Sequence, residues 1–291
     1  MKRSLILAAA IATLVAPFGA AAHKQWIIPS QAVVNGSDVW VTFDGAVSNQ
    51  LFFPDHVPMR LDNVTVTAPD GGKVELKNAS TGKYRSTFDV QLQQQGTYRI
   101  ANVSNGISAR WDTPESLAEK AKAEAAGKPA GGPGGARGGF LRNATAEDLA
   151  TKIPKDAQNL QVTQAIGRVE TFVTNGTPND TALKPTGTGI ELVPLTHPND
   201  LFAGEEARFR VLVDGKPAQG LEFEIVRGGT RYRNTQDEIM ATTDASGEFR
   251  VTWPEAGMYW LETSTQDTKT SVPQATQRRL GYVATLEVLP Q

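Results

Sequence analysis

Short extended runs recur along this chain about every ten residues, each stopped by turn formers, and that rhythm suits sheet far better than helix. Val39-Trp40-Val41-Thr42-Phe43 is β-branched and aromatic, the composition that fits a pleated, half-buried surface. Residues 63–68 alternate and run into Pro69-Asp70-Gly71-Gly72, a turn, before Lys73-Val74-Glu75-Leu76 resumes as the second arm of a hairpin. Runs opening at Gly82 and Gly96 add two more strands, so residues 23 to about 111 supply the six or seven expected of a sandwich.

The same grammar returns after residue 186. Residues 207–213 end in the Asp214-Gly215-Lys216-Pro217 turn, and Leu221-Glu222-Phe223-Glu224-Ile225 alternates as a half-buried strand must. Gly82-Lys83-Tyr84-Arg85 with Gly96-Thr97-Tyr98 matches Gly247-Glu248-Phe249-Arg250 with Gly257-Met258-Tyr259. Tyr98 and Tyr259 each stand near the start of a late strand, where a tyrosine bonds back to its own turn in immunoglobulin-like sandwiches. The expected class is all-β, two Ig-like or fibronectin-like β-sandwiches over 23–186 and 187–291.

Between them the composition shifts. Pro114 precedes a run of strong helix formers to Ala126, the signature of a short surface helix, and residues 127–139 are so rich in glycine and proline that they cannot bury a core. With no strand before it and no Gly-Lys-Ser or Gly-Lys-Thr ending, this stretch is no phosphate loop. The helical and glycine-rich insertion is expected over 113–160.

The amino terminus carries the chemistry. Lys2 and Arg3, an apolar run from Leu5 to Ala16 and a tail ending Ala20-Ala21-Ala22 form the three parts of an export signal, with cleavage expected after Ala22. His23 would then be the first residue of a soluble periplasmic protein with no membrane span. Its free amine and imidazole together would make a chelate for a borderline divalent metal.

The chain has no cysteine, so thiolate metal sites, iron–sulfur clusters and cysteine nucleophiles are excluded, and any metal must take nitrogen, oxygen or thioether donors. The 29 basic against 31 acidic residues give no field that would gather nucleic acid. Only three histidines exist: His23, His56 and His197. His56 lies in Pro54-Asp55-His56-Val57-Pro58-Met59, where Asp55 or a carbonyl could orient the ring and Met59 could add a soft ligand; the other reading is an ordinary surface His-Asp pair with Met59 as core filling. His197, in Leu195-Thr196-His197-Pro198-Asn199-Asp200, could complete a site with His23 or cover the seam between domains, with Asn199 and Asp200 as further oxygen donors in the first case.

Ala22-His23-x-x-Trp26-Ile27-x-Pro29, Glu191-Leu192-Val193-Pro194-Leu195-x-x-Pro198, Val211-Leu212-Val213-Asp214-Gly215-Lys216-Pro217 and Asp244-x-x-Gly247 resemble the DUF4198 family. Its members are exported bacterial proteins often labelled periplasmic components of nickel or cobalt uptake. The resemblance spans nearly the whole mature chain apart from residues 114–140, and it implies a periplasmic accessory to metal acquisition.

The leading expectation is therefore a non-enzymatic metal-binding protein of nickel or cobalt, copper or iron uptake, with His23, His56 and His197 as ligands. Its partner would be a membrane transporter or outer-membrane receptor. An adhesion or scaffold module binding an envelope protein or glycan is the alternative, with Trp40, Trp111 and Trp260 as candidate contacts, although core packing suits each of the three better. A copper oxidase using an amino-terminal histidine brace would need a second imidazole beside His23. No Gly-x-Ser-x-Gly elbow or other hydrolase constellation is present.

Overall fold

The computed structural model describes residues 23–127 and 138–291. The expected signal segment and residues 128–137 of the glycine-rich run lie outside the described residues. The protein is all-β, with sandwich cores as the strand rhythm implies. A five-stranded sheet holds Lys24–Pro29, Val39–Ser48, Ser86–Leu92 and Lys77–Thr81 in that order, with Val57–Pro58 added beside Val39–Ser48. A four-stranded sheet is built around Glu206–Val213.

A ten-stranded sheet lies between and serves both halves. Its central strand, Gln158–Asn175, pairs antiparallel with Gly96–Asp112 and parallel with Gln277–Val288, so strands from before and after residue 186 share one hydrogen-bonded ladder. Residues 168–175 and 282–286 are buried without interruption, because these strands are covered on both faces and alternation gives way to continuous burial. One face of Gln277–Val288 puts Leu280, Tyr282, Ala284 and Leu286 into the carboxy-terminal core. The other gives Val283 to the amino-terminal core, where Trp260 and Val226 join it.

Both tyrosines bond as their positions predict. Tyr98 donates to the Gln94 carbonyl at 3.0 Å and accepts from the Gln94 amide at 2.8 Å, and Tyr259 donates to the Glu255 carbonyl at 2.8 Å. The helix Pro114–Ala125 begins at the expected proline and is capped by Thr113, whose hydroxyl accepts from the Ser116 amide. A second helix, Ala146–Thr151, packs Leu149 into a small separate core with Trp111 and Val162.

The seam between the halves contains buried charge. Arg99, Arg168, Glu170 and Glu191 are all at most 6% exposed. The Glu191 carboxylate is held by the Thr186 amide and hydroxyl and the Gly187 amide at 2.6–2.7 Å. Glu170 accepts from the Tyr282 hydroxyl at 2.7 Å and lies 3.5 and 3.7 Å from the Arg168 and Arg99 guanidiniums, close enough for charge attraction without formed hydrogen bonds. Burial and the neighbouring Glu170 carboxylate push the Tyr282 hydroxyl well above its ordinary pKa.

Candidate metal centre

Lys24–Pro29 pairs with Val39–Ser48 in the register Lys24↔Ser48 to Pro29↔Phe43. On the other edge of that strand, Val57 and Pro58 pair with Val47 and Ala46. Continuing both registers by one residue puts His23 and His56 on opposite flanks of the same strand end, at Asn49 and Ser48. Two strand spacings, about 9–10 Å, separate such positions, a gap two imidazoles can close. The rings meet with centroids 3.9 Å apart and planes 6° from parallel.

The residues beneath set this approach. Trp26, 2% exposed, donates its indole N–H to the Ser48 hydroxyl at 2.8 Å, and that hydroxyl donates to the Gln50 carbonyl at 2.6 Å. Phe52 packs edge-on against Trp26 with centroids 5.9 Å apart and takes a positive φ of 58°, an uncommon conformation for a non-glycine residue, as the chain turns toward His56. Asp55 closes the loop by accepting from the Asn49 amide at 2.7 Å.

That use of Asp55 corrects one expectation, since its carboxylate folds the loop and makes no hydrogen bond to His56. Of the two readings of Met59, the core one holds: it is 3% exposed and packed against Gly45 in the amino-terminal core, and its thioether is core filling. Both histidines are exposed, and among the described residues nothing hydrogen-bonds to their ring nitrogens. Two free imidazoles at contact distance suit a borderline divalent ion. Sharing one ion requires the rings to open from the stack, a rotation about χ1 and χ2 that exposed side chains make without repacking a core.

His197 does not join them. Its Nδ1 accepts from the Asn199 amide at 3.2 Å, which leaves Nε2 to donate to the Thr97 hydroxyl at 2.9 Å. Thr97, Thr174 and Asn199 continue this network, with Thr174 donating to the Asn199 side-chain oxygen at 2.8 Å. Burial pushes the His197 ring below its ordinary pKa and outweighs the opposing pull of Asp180 and Asp200. The three-histidine set expected from the sequence is thus two histidines at a rim and one in the seam. Asn199 is tied to the seam, and among the described residues no three His, Asp or Glu side chains gather as a metal site.

Sequence reasoning missed the residues that hold the strand behind His23. Lys24 reaches Glu224 Oε1 at 3.1 Å and lies 4.0 Å from the centroid of the Trp260 ring. Trp260, fully buried, donates its indole N–H to the Gln25 carbonyl at 2.8 Å. Strand alternation could have signalled that Lys24 points inward, but its partners lie two hundred residues away. Of the three tryptophans considered as adhesion contacts, Trp111 and Trp260 are core, while Trp40 is 46% exposed.

The model for DUF4198, a domain of unknown function, matches residues 20–267, and the chain belongs to that family. A search of curated proteins found no match. Among solved structures, the D0-D1 domain of Intimin aligns at 11% identity with a TM-score of 0.22, covering 90% of this chain and 97% of that one. The human OSCAR ligand-binding domain aligns at 12% identity with a TM-score of 0.19, covering 92% and 100%. Overlays this loose carry nothing about activity. Among the described residues no helix is long and apolar enough to cross a membrane.

Proposed function

We propose that this protein is exported to the periplasm, is cleaved after Ala22, and binds a divalent transition metal there as an accessory to metal uptake. His23 supplies its α-amine and imidazole, and His56 supplies a second imidazole. The observation that carries this reading is the 3.9 Å approach of two exposed rings with unengaged nitrogens, one belonging to the residue that cleavage would make first.

All three donors are nitrogen. Such a set binds Cu(II) most tightly, then Ni(II), Co(II) and Fe(II), so use with nickel, cobalt or iron would depend on supply and on the partner that receives the ion. A membrane transporter or outer-membrane receptor is the partner this role calls for, and the exposed rim leaves the ion open to transfer. Binding should release protons, because the amine must be deprotonated to coordinate.

The test is titration of the chain beginning at His23 with Ni(II) and Cu(II). It runs beside His23→Ala, His56→Ala and a version carrying one extra residue before His23. Each change should weaken binding; equal affinity in all four would remove this site.

A further inference from the structure

The first residues after His23 are held from three directions. Lys24 is tied to Glu224, the Gln25 carbonyl accepts from Trp260, and Trp26 donates to Ser48. Two of these three anchors, Glu224 and Trp260, belong to the carboxy-terminal half and sit on neighbouring strands of the ten-stranded sheet. Successive side chains of a strand point to opposite faces, so Lys24 turns inward, with its side chain 14% exposed, while His23 faces solvent. Lys24 can therefore hold the backbone next to the metal donors without touching the ion.

We propose that Lys24, clamped by Glu224 and Trp260, is a positioning residue that fixes the amino-terminal nitrogen and the His23 ring against His56, making the shared ten-stranded sheet part of the metal centre. This inference rests on the reading of His23 and His56 as ligands. With residues 24–26 anchored, His23 is the one residue of that strand end left to turn, and little conformational freedom remains to be lost when an ion binds. Releasing Lys24 frees the backbone at the donor residue itself. A lysine ammonium over an indole and beside a carboxylate tolerates replacement by arginine, which keeps charge and cation–π contact, better than by methionine, which keeps only the stem.

Copper(II) alone is the probe, added to the full mature chain beginning at His23. Lys24→Met should weaken binding by about tenfold, the lower end of the loss seen when an outer partner of a ligand is removed. It should also change the electron paramagnetic resonance spectrum of the bound ion, while Lys24→Arg restores most of both. Glu224→Gln, which leaves Lys24 in place, should shift affinity and spectrum in the same direction and guards against misfolding of the first variant. Wild-type affinity and spectrum in both Lys24→Met and Glu224→Gln would overturn the clamp while leaving the histidine site standing. Equal binding by wild type, His23→Ala and His56→Ala would bring down the site and the clamp with it.

Discussion

The rim and the seam use histidine in opposite ways. At the rim, His23 and His56 stack in solvent with no hydrogen bond to their ring nitrogens among the described residues. In the seam, both nitrogens of His197 are engaged, one by a backbone amide and one by a threonine hydroxyl. A side chain whose polar atoms are all used by the fold contributes to stability and has nothing to offer a ligand; one whose polar atoms are idle has the reverse balance. Seam substitutions should therefore cost stability and spare metal binding, and rim substitutions should do the opposite.

The largest effect should come from the seam charge. Glu170→Ala leaves Arg99 and Arg168 buried without their shared carboxylate, and chemical denaturation should show a loss of about 3–5 kcal/mol. A negligible loss would mean that water already solvates the seam. At the rim, His23→Ala should lower Cu(II) affinity by more than the roughly 10–100-fold that losing an outer partner costs. Its denaturation midpoint should stay at the wild-type value, and a large drop there would blur the contrast.

His197→Ala should cost about 1–3 kcal/mol, because the Asn199 amide and the Thr97 hydroxyl lose a half-buried partner. Copper affinity should not move; if it fell, the separation of seam from rim would be wrong. The pH dependence follows from the same residue. Burial lowers the folded ring below its ordinary value of 6.5, so the unfolded chain takes up the proton first as pH falls. The contribution of His197 is fully present above 6.5 and declines as pH drops below it toward the depressed folded value. His197→Gln should flatten that part of the stability profile, and an unchanged slope would sink the assignment. The smallest effect should be His56→Ala on stability, within about 0.5 kcal/mol, as for an exposed side chain that anchors nothing.

Much of the fold was legible beforehand because its signals are local. Turn residues, alternation and the paired Gly-x-Tyr motifs depend on neighbours a few positions apart, and both tyrosines bond to a carbonyl four residues upstream. The capped helix at Pro114 is local in the same way. The shared central sheet was not legible. Arg168-Val169-Glu170-Thr171-Phe172-Val173 reads as a strand, but nothing in those letters says that it pairs in parallel with a strand more than a hundred residues later. Its buried arginine and glutamate look, by composition, like solvent-facing residues.

The sequence by itself determined an all-β chain, the absence of thiolate chemistry, three candidate histidines and the one that an export cut would place first. Only the tertiary structure decided that His56 meets His23 while His197 turns inward. The reason is register: each rim histidine lies one step past the paired residues on a flank of the strand Val39–Ser48, and that coincidence is set by long-range pairing. The fate of His197 was decided likewise by Thr97, one hundred residues away, because a hydrogen bond depends on distance in space and not along the chain.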